Sequence, residues 1–369
     1  MRSKARPLIA SEYLQSLGAW GWIALLTRAT RITFALLLKV ARAAIGRRTR
    51  RFDSLYEFVA YQGMLDYQSN LDAVAIQNLL PSTTKTCGSV AKTLGIPHTE
   101  IRLGDGTMAI RLGRAKTEKV IVIFHGGGYM GPALPEQVKV AWGFGDSLPG
   151  DTSVFILPYA LASETGNHYP RQLRQAVALI DYLLDSQSVQ PSAITLIGDS
   201  AGGHLVLSLL LHLAHPNPLV SPRPIQERLA GAALISPWVV NGSAERSMAE
   251  NTDKDILSPA ALEYWTKNYM GDSAPDCWNS LLTTPAEWWA DLPVEDILVV
   301  YGDDEVLRDS TAALCEVMQA GHKRTRAVKF PRELHTHMLM NRFLRINKPC
   351  ESERVFLEWL SERRPRGDQ

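Results

Sequence analysis

Cysteine is scarce in this chain: 369 residues contain four, Cys87, Cys277, Cys315 and Cys350, all far apart. No two have the spacing of a metal-ligand pair or a redox motif. Disulfide, zinc and thiol–disulfide roles are therefore not expected, and reduced thiols in a cytoplasmic setting are the default. Internal repeats and low-complexity tracts are missing as well. No G-x-x-x-x-G-K-[ST] pattern occurs and no G-x-G-x-x-G follows a strand, which removes the common ways of cradling a nucleotide phosphate. No charge-free apolar run reaches membrane-spanning length, because Arg28 and Arg31 interrupt the stretches Ala19 to Leu26 and Ile32 to Leu38. Net charge is only +1. No recognition motif accompanies the basic residues, so nucleic acid is not an expected partner.

Acid is scarce in one place. Residues 1–51 hold eleven basic residues (Arg2, Lys4, Arg6, Arg28, Arg31, Lys39, Arg42, Arg47, Arg48, Arg50 and Arg51) against Glu12 alone. That gives this segment +10 and leaves −9 for the rest of the chain. With Trp20, Trp22 and Phe34 interleaved, the segment suits an anionic, cytoplasm-facing membrane surface as a peripheral helix. The alternative is a lid helix packed on the rest of the protein with its arginines in water. Asn241-Gly242-Ser243 is a lone glycosylation sequon and carries little weight, since the basic start does not read as a cleavable signal.

A 46% apolar content over this length can bury a substantial core. Apolar runs alternate with helical patterns: Val120 to Phe124, Ser153 to Leu157, a helix from about Pro170 to Asp185, Ala193 to Ile197, then Gly231 to Ile235. Such alternation implies an α/β fold with a mostly parallel central sheet flanked by helices. Residues 1–95 read as a basic amphipathic and lid region. Residues 96–369 read as the catalytic domain, carrying a polar, Trp-rich insertion at about 236–292.

Ser200 stands in Gly198-Asp199-Ser200-Ala201-Gly202, behind the run ending at Ile197 and ahead of a helix-like stretch from His204 to His215. Strand, G-x-S-x-G, helix is the order of a nucleophile elbow, in which the glycines relieve crowding while the serine accepts strained backbone angles. Earlier in the chain, Val120 to Phe124 runs into His125-Gly126-Gly127-Gly128-Tyr129. Glycines after a buried strand leave backbone N–H groups bare, as an acyl-transfer site needs for the oxygen that becomes negative. Gly127, Gly128 and Ala201 are the expected donors, with Gly126 shaping the loop.

These two motifs resemble those of the hormone-sensitive-lipase-like branch of the α/β-hydrolase family, marked by His-Gly-Gly-Gly and Gly-Asp-Ser-Ala-Gly-Gly. The resemblance runs from about Thr99 to Leu360 and is nearest to fungal members related to steryl acetyl hydrolases. Tyr159-Ala160-Leu161-Ala162 and Tyr169-Pro170 also match family segments. The resemblance implies a lid over the sheet's C-terminal edge, made from the insertion and the N-terminal segment. Some of Trp265, Trp278, Trp288 and Trp289 could then line a bulky, apolar pocket, or simply form the lid's own core.

A triad acid and then a base must follow the serine. The strand Ile297 to Tyr301 leads into Gly302-Asp303-Asp304-Glu305-Val306-Leu307-Arg308-Asp309. Aligning Leu-Arg-Asp with the family pattern places Glu305 where an aspartate is usual. Asp303 and Asp304 stay as rivals, and Asp309 reads as the cap of a helix from Ser310. Alignment on Phe330-Pro331 selects His335 as base, with His337 as the rival. His125 is expected to shape the oxyanion loop.

The reading is a metal-free, cofactor-free serine hydrolase of carboxylic esters. It would work through an acyl-enzyme, and the resemblance implies short acyl esters of a bulky apolar alcohol such as a sterol or secondary metabolite. Two alternatives stay open: a biosynthetic acyl transfer, cyclisation or elimination at the same site, and a ligand-binding receptor on the same fold. Oligomeric state is left open.

Overall fold

The structure is a computed structural model that describes residues 17–46, 52–115, 117–147, 151–239 and 246–362. The basic positions 2, 4, 6, 47, 48, 50 and 51 and the sequon at 241–243 lie outside the described residues.

Among the described residues, eight strands form one sheet: β1 (His98–Arg102), β2 (Met108–Leu112), β3 (Lys119–Phe124), β4 (Thr152–Ile156), β5 (Ile194–Asp199), β6 (Gly231–Ile235), β7 (Ile297–Gly302) and β8 (Thr325–Phe330). Their order is β1-β2-β4-β3-β5-β6-β7-β8. β1 and β2 are antiparallel at one edge, and the other six strands run parallel. The central strands β5, β6 and β7 are buried at every position, as their unbroken apolar runs require when helices cover both faces of a sheet.

Among the described residues, twelve α-helices complete the fold. α1 (Ala19–Gly46), α2 (Leu55–Asn70), α3 (Ala73–Leu79) and α4 (Thr83–Leu94) precede the sheet. Next come α5 (Pro135–Ser147), α6 (Arg171–Asp181), α7 (Ala201–Ala214), α8 (Arg246–Asn251) and α9 (Pro259–Met270). α10 (Arg308–Gly321), α11 (His337–Phe343) and α12 (Glu351–Ser361) follow. α4, α11 and α12 all pack on α5, while α6 packs on α7, which meets α10 through the 3-10 turn Ala286–Asp291.

Register sets the position of the site. Phe124 pairs with Gly198, Asp199 with Ile235, and Gly302 with Phe330, so the C-terminal ends of β3, β5, β6, β7 and β8 lie along one edge. The residues that follow them, His125 to Gly128, Ser200, Ser236, Glu305 and His335, therefore face a common crevice, where open α/β sheets usually bind ligands.

Some expectations need correction. β1 and β2 were not foreseen, because β1 is short and half polar and is exposed along most of its length. The helix after Ser200 begins at Ala201, three residues before the expected start. The helix expected to reach Asp185 ends at Asp181 and widens into a π turn over Tyr182–Ser186. α10 starts at Arg308 with Leu307 as its N-cap, so Asp309 lies inside the first turn and does not cap it. The Asp309 carboxylate accepts instead from the backbone of Ser247 and the Arg308 guanidinium.

Part of the segment before residue 96 packs into the sheet's own core. Tyr61, Ala73, Cys87, Val90 and Ala91 are buried in the same apolar cluster as the sheet. α1 is held differently, by a small second cluster in which Leu25 meets Leu71, Ala75 and Ile76.

Candidate active site

Ser200 sits between β5 and α7 at φ 51°, ψ −116°, a conformation that costs a non-glycine residue on the order of 1–3 kcal/mol. Neighbouring backbone over-determines it: Ser200 N–H donates to the Ile235 carbonyl, and Trp238 N–H donates to the Ser200 carbonyl, both at 2.9 Å. The turn is too tight for side chains. A Cβ on Gly202 would overlap the Phe124 carbonyl at the end of β3.

Ser200 Oγ lies 2.9 Å from His335 Nε2, and His335 Nδ1 lies 3.2 Å from Glu305 Oε2. A carboxylate only accepts, so Nδ1 carries the proton towards Glu305 and Nε2 is left to accept the serine hydroxyl. All three side chains are buried, with Glu305 fully enclosed. Glu305 Oε1 accepts from Ser236 Oγ at 2.7 Å and from the Gly302 N–H. Ser236 Oγ accepts in turn from Thr336 N–H at 3.0 Å. The acid loop and the base loop are thus cross-linked through one hydroxyl.

Burial works against a charge on His335. The hydrogen bond and charge of Glu305, joined by the charges of Asp255 and Asp199, outweigh it and hold the imidazole pKa above its ordinary value.

The rival residues go elsewhere. Asp303 pairs with Lys329 at 2.8 Å and Asp304 lies 3.6 Å from Lys254, both away from the imidazole of His335. His337 begins α11, where Nε2 meets Asn341 Nδ2 at 3.0 Å and Nδ1 faces the Leu334 N–H at 3.4 Å.

The glycine loop after β3 runs alongside. Gly126 N–H donates to Asp199 Oδ1 at 2.9 Å, and Gln137 Nε2 donates to Asp199 Oδ2 at 2.8 Å. The Gly126 amide is thereby committed to holding the loop. His125 donates from Nδ1 to the Gly126 carbonyl at 2.7 Å and stacks on Tyr159 with centroids 4.3 Å apart. Burial lowers the His125 pKa to about 4, so the ring is neutral at pH 7. Gly127 and Gly128 line a cavity with Ser200, and a Cβ on Gly128 would crowd the indole of Trp265 to 2.5 Å.

That cavity measures about 560 Å³. Its far wall is built by α2 and α3, through Ala60, Gly63, Met64, Tyr67 and Ile76. Ile256, Leu257 and Trp265 from the insertion complete it, with Met340 and Phe343 of α11. Of the insertion's tryptophans, Trp265 lines this space, while Trp238 and Trp289 are core residues and Trp278 packs on Trp288.

Two polar residues of the site escaped the sequence reading. Asp255 was only one of several polar residues in the insertion, yet it is fully buried and accepts from His335 N–H at 3.0 Å and Val306 N–H at 2.8 Å. Ser236 follows β6 with φ 46°. Neither belongs to a local motif, and only Ser236's place straight after a buried strand could have drawn notice.

A mostly parallel sheet, a serine elbow at the end of β5 and a His–Glu pair after β7 and β8 define an α/β-hydrolase of the hormone-sensitive-lipase-like kind. The chain belongs to the steryl acetyl hydrolase family, whose sequence profile matches residues 109–335. Similar proteins include mug81 of Schizosaccharomyces pombe, provisionally named a steryl acetyl hydrolase, at 28% identity over 53% of each chain. Steryl acetyl hydrolase 1 of Saccharomyces cerevisiae is 24% identical over 55% of this chain and 48% of its own. The chain thus spans about half the length of these relatives. An esterase from the bacterial hormone-sensitive lipase family shares the fold, with a TM-score of 0.62 and 22% identity over 84% of this chain and 99% of its own.

Proposed function

We propose that the protein hydrolyses carboxylic esters, and that its substrates are short acyl, chiefly acetyl, esters of a bulky apolar alcohol such as a sterol or secondary metabolite. The observation that carries this reading is the continuous contact from Glu305 through His335 to Ser200, opening directly onto an apolar cavity of about 560 Å³. His335 takes the Ser200 proton as Oγ attacks the ester carbonyl, and Glu305 holds the resulting imidazolium. The N–H groups of Gly127, Gly128 and Ala201 hold the oxyanion. His335 then protonates the leaving alcohol, and water, deprotonated by the same imidazole, releases the acid and restores Ser200.

The names of the yeast relatives and the family support an acetyl group on a sterol. Cavity shape supports the bulky, apolar alcohol, since its walls are aliphatic and aromatic side chains of α2, α3, α9 and α11. A peripheral place on a cytoplasm-facing membrane accompanies this reading. The test is labelling by a fluorophosphonate probe together with acetate release from a sterol acetate and from nitrophenyl acetate. Labelling and release that both vanish in Ser200→Ala support the reading. Release that persists in that variant defeats it.

A further inference from the structure

α1 carries two stripes at helical spacing. The inner one, Gly21, Leu25, Arg28, Ile32, Leu36 and Lys39, turns towards α2 and α3. Leu25 meets Ile76, and Leu36 comes within 3.5 Å of where a Cβ on Gly63 would stand. Arg28 pairs with Asp72 and Lys39 with Asp66, so both inner cations are answered.

The outer face is open and largely apolar, with the hydroxyls of Thr27, Thr30 and Thr33 donating to backbone carbonyls four residues back. Trp20 is 83% exposed, Leu26 and Phe34 63% each, and Leu37 60%. Seven of the thirteen large apolar side chains exposed among the described residues lie on this one helix. A helix apolar on its outer face needs a cover, and exposed apolar patches of this extent mark an interaction surface.

Charge indicates which cover. α1 has no acidic residue, and its two outward cations, Arg31 and Arg42, lie along one flank of the apolar stripe. A second copy paired face to face would set these arginines near their own kind with no acid on the helix to answer them. An anionic bilayer answers them with phosphate and carboxylate head groups while burying Trp20, Phe34 and Leu37 at the acyl boundary. No described helix is long and apolar enough to cross a membrane, which leaves α1 lying in the plane of the surface.

We propose that α1 docks on an anionic lipid surface and that the cavity takes its apolar ester from that surface. Ile76, Tyr67 and Leu80 belong both to the cluster that seats α1 and to the cavity wall, so the docked helix lies directly behind the substrate's wall. Lipid contact thereby holds the substrate cavity close to the surface that carries a water-insoluble ester. The entry route rests on the ester-hydrolase reading, but the docking does not.

The test uses the full chain and flotation with phosphatidylcholine vesicles, with and without phosphatidylserine. Wild type is expected to float with the phosphatidylserine vesicles and to release as salt rises. Phe34→Glu with Leu37→Glu, both on exposed positions, should reduce the bound fraction at least about tenfold. Its turnover of a sterol acetate held in those vesicles should fall in proportion, while turnover of soluble nitrophenyl acetate stays at the wild-type level. Equal flotation of wild type and variant, or a wild-type dimer in solution that the variant dissociates, overturns the proposal. A wild type that floats but hydrolyses neither ester leaves the docking standing and defeats the ester-hydrolase reading instead.

Discussion

Asp255 accepts the backbone N–H of His335 on one carboxylate oxygen and that of Val306 on the other, at 3.0 and 2.8 Å. Val306 follows Glu305 directly, so one side chain from the insertion fixes the backbones of both the acid loop and the base loop. The next two residues, Ile256 and Leu257, line the cavity. What the cavity holds is therefore one residue from what aligns the imidazole.

Asp255→Asn keeps one acceptor and presents an N–H to the other donor. A buried backbone N–H left without a partner costs about 1–3 kcal/mol, and small displacements at a reacting centre can cost about a hundredfold in rate. Expected is a loss of about ten- to a hundredfold in kcat with KM for nitrophenyl acetate little changed. Steady-state kinetics on a variant of unchanged circular dichroism decide it, and an unchanged kcat would remove Asp255 from the alignment of the site.

The pH dependence follows from the raised pKa of His335. Only the neutral imidazole takes the serine proton, so kcat/KM should fall on the acid side through a pKa above the ordinary imidazole value of 6.5. Removing the Asp255 charge takes away support for the imidazolium, which lowers that pKa. The acid limb of Asp255→Asn should therefore lie at lower pH than that of wild type. A limb that stays in place or moves to higher pH contradicts the electrostatic part of the account.

Glu305→Gln keeps volume but removes the charge that orients and stabilises protonated His335. Turnover should drop by roughly 10³ to 10⁴. Asp303→Asn and Asp304→Asn loosen ion pairs away from the imidazole and should each cost less than about threefold. Near-normal turnover in Glu305→Gln, with a crippled Asp303 or Asp304 variant, would move the acid to one of those two positions. His337→Ala should keep most activity, because its ring faces Asn341.

Legibility followed locality. Ser200, the His125 to Gly128 loop and the strands beneath them were readable because each is a short stretch whose glycines and apolar run have a single geometric use. Glu305 and His335 needed the family's spacing, and the structure brings both to Ser200. The far wall was not readable. α2 and α3 carry mixed polarity, and their apolar residues meet the cavity only because α9 and α11 arrive from remote parts of the chain. The tryptophans drew attention by their density in the insertion, yet Trp289 went to the core and Trp278 to a contact with Trp288, since a bulky ring is first of all a filler of volume.

Cavity width gives a fourth outcome. Ala60→Phe adds a ring to the α2 wall, so sterol acetate turnover should fall about tenfold or more while nitrophenyl acetate turnover holds within about twofold. Parallel losses on both esters would show that this wall does not meet the alcohol.

The most direct measurement is acetate release from nitrophenyl acetate by wild type and by Ser200→Ala, side by side with fluorophosphonate labelling and a thermal melt of each. The account predicts a folded variant that takes no label and turns over about 10⁴- to 10⁶-fold more slowly than wild type. A folded Ser200→Ala protein that still releases acetate at the wild-type rate would contradict it.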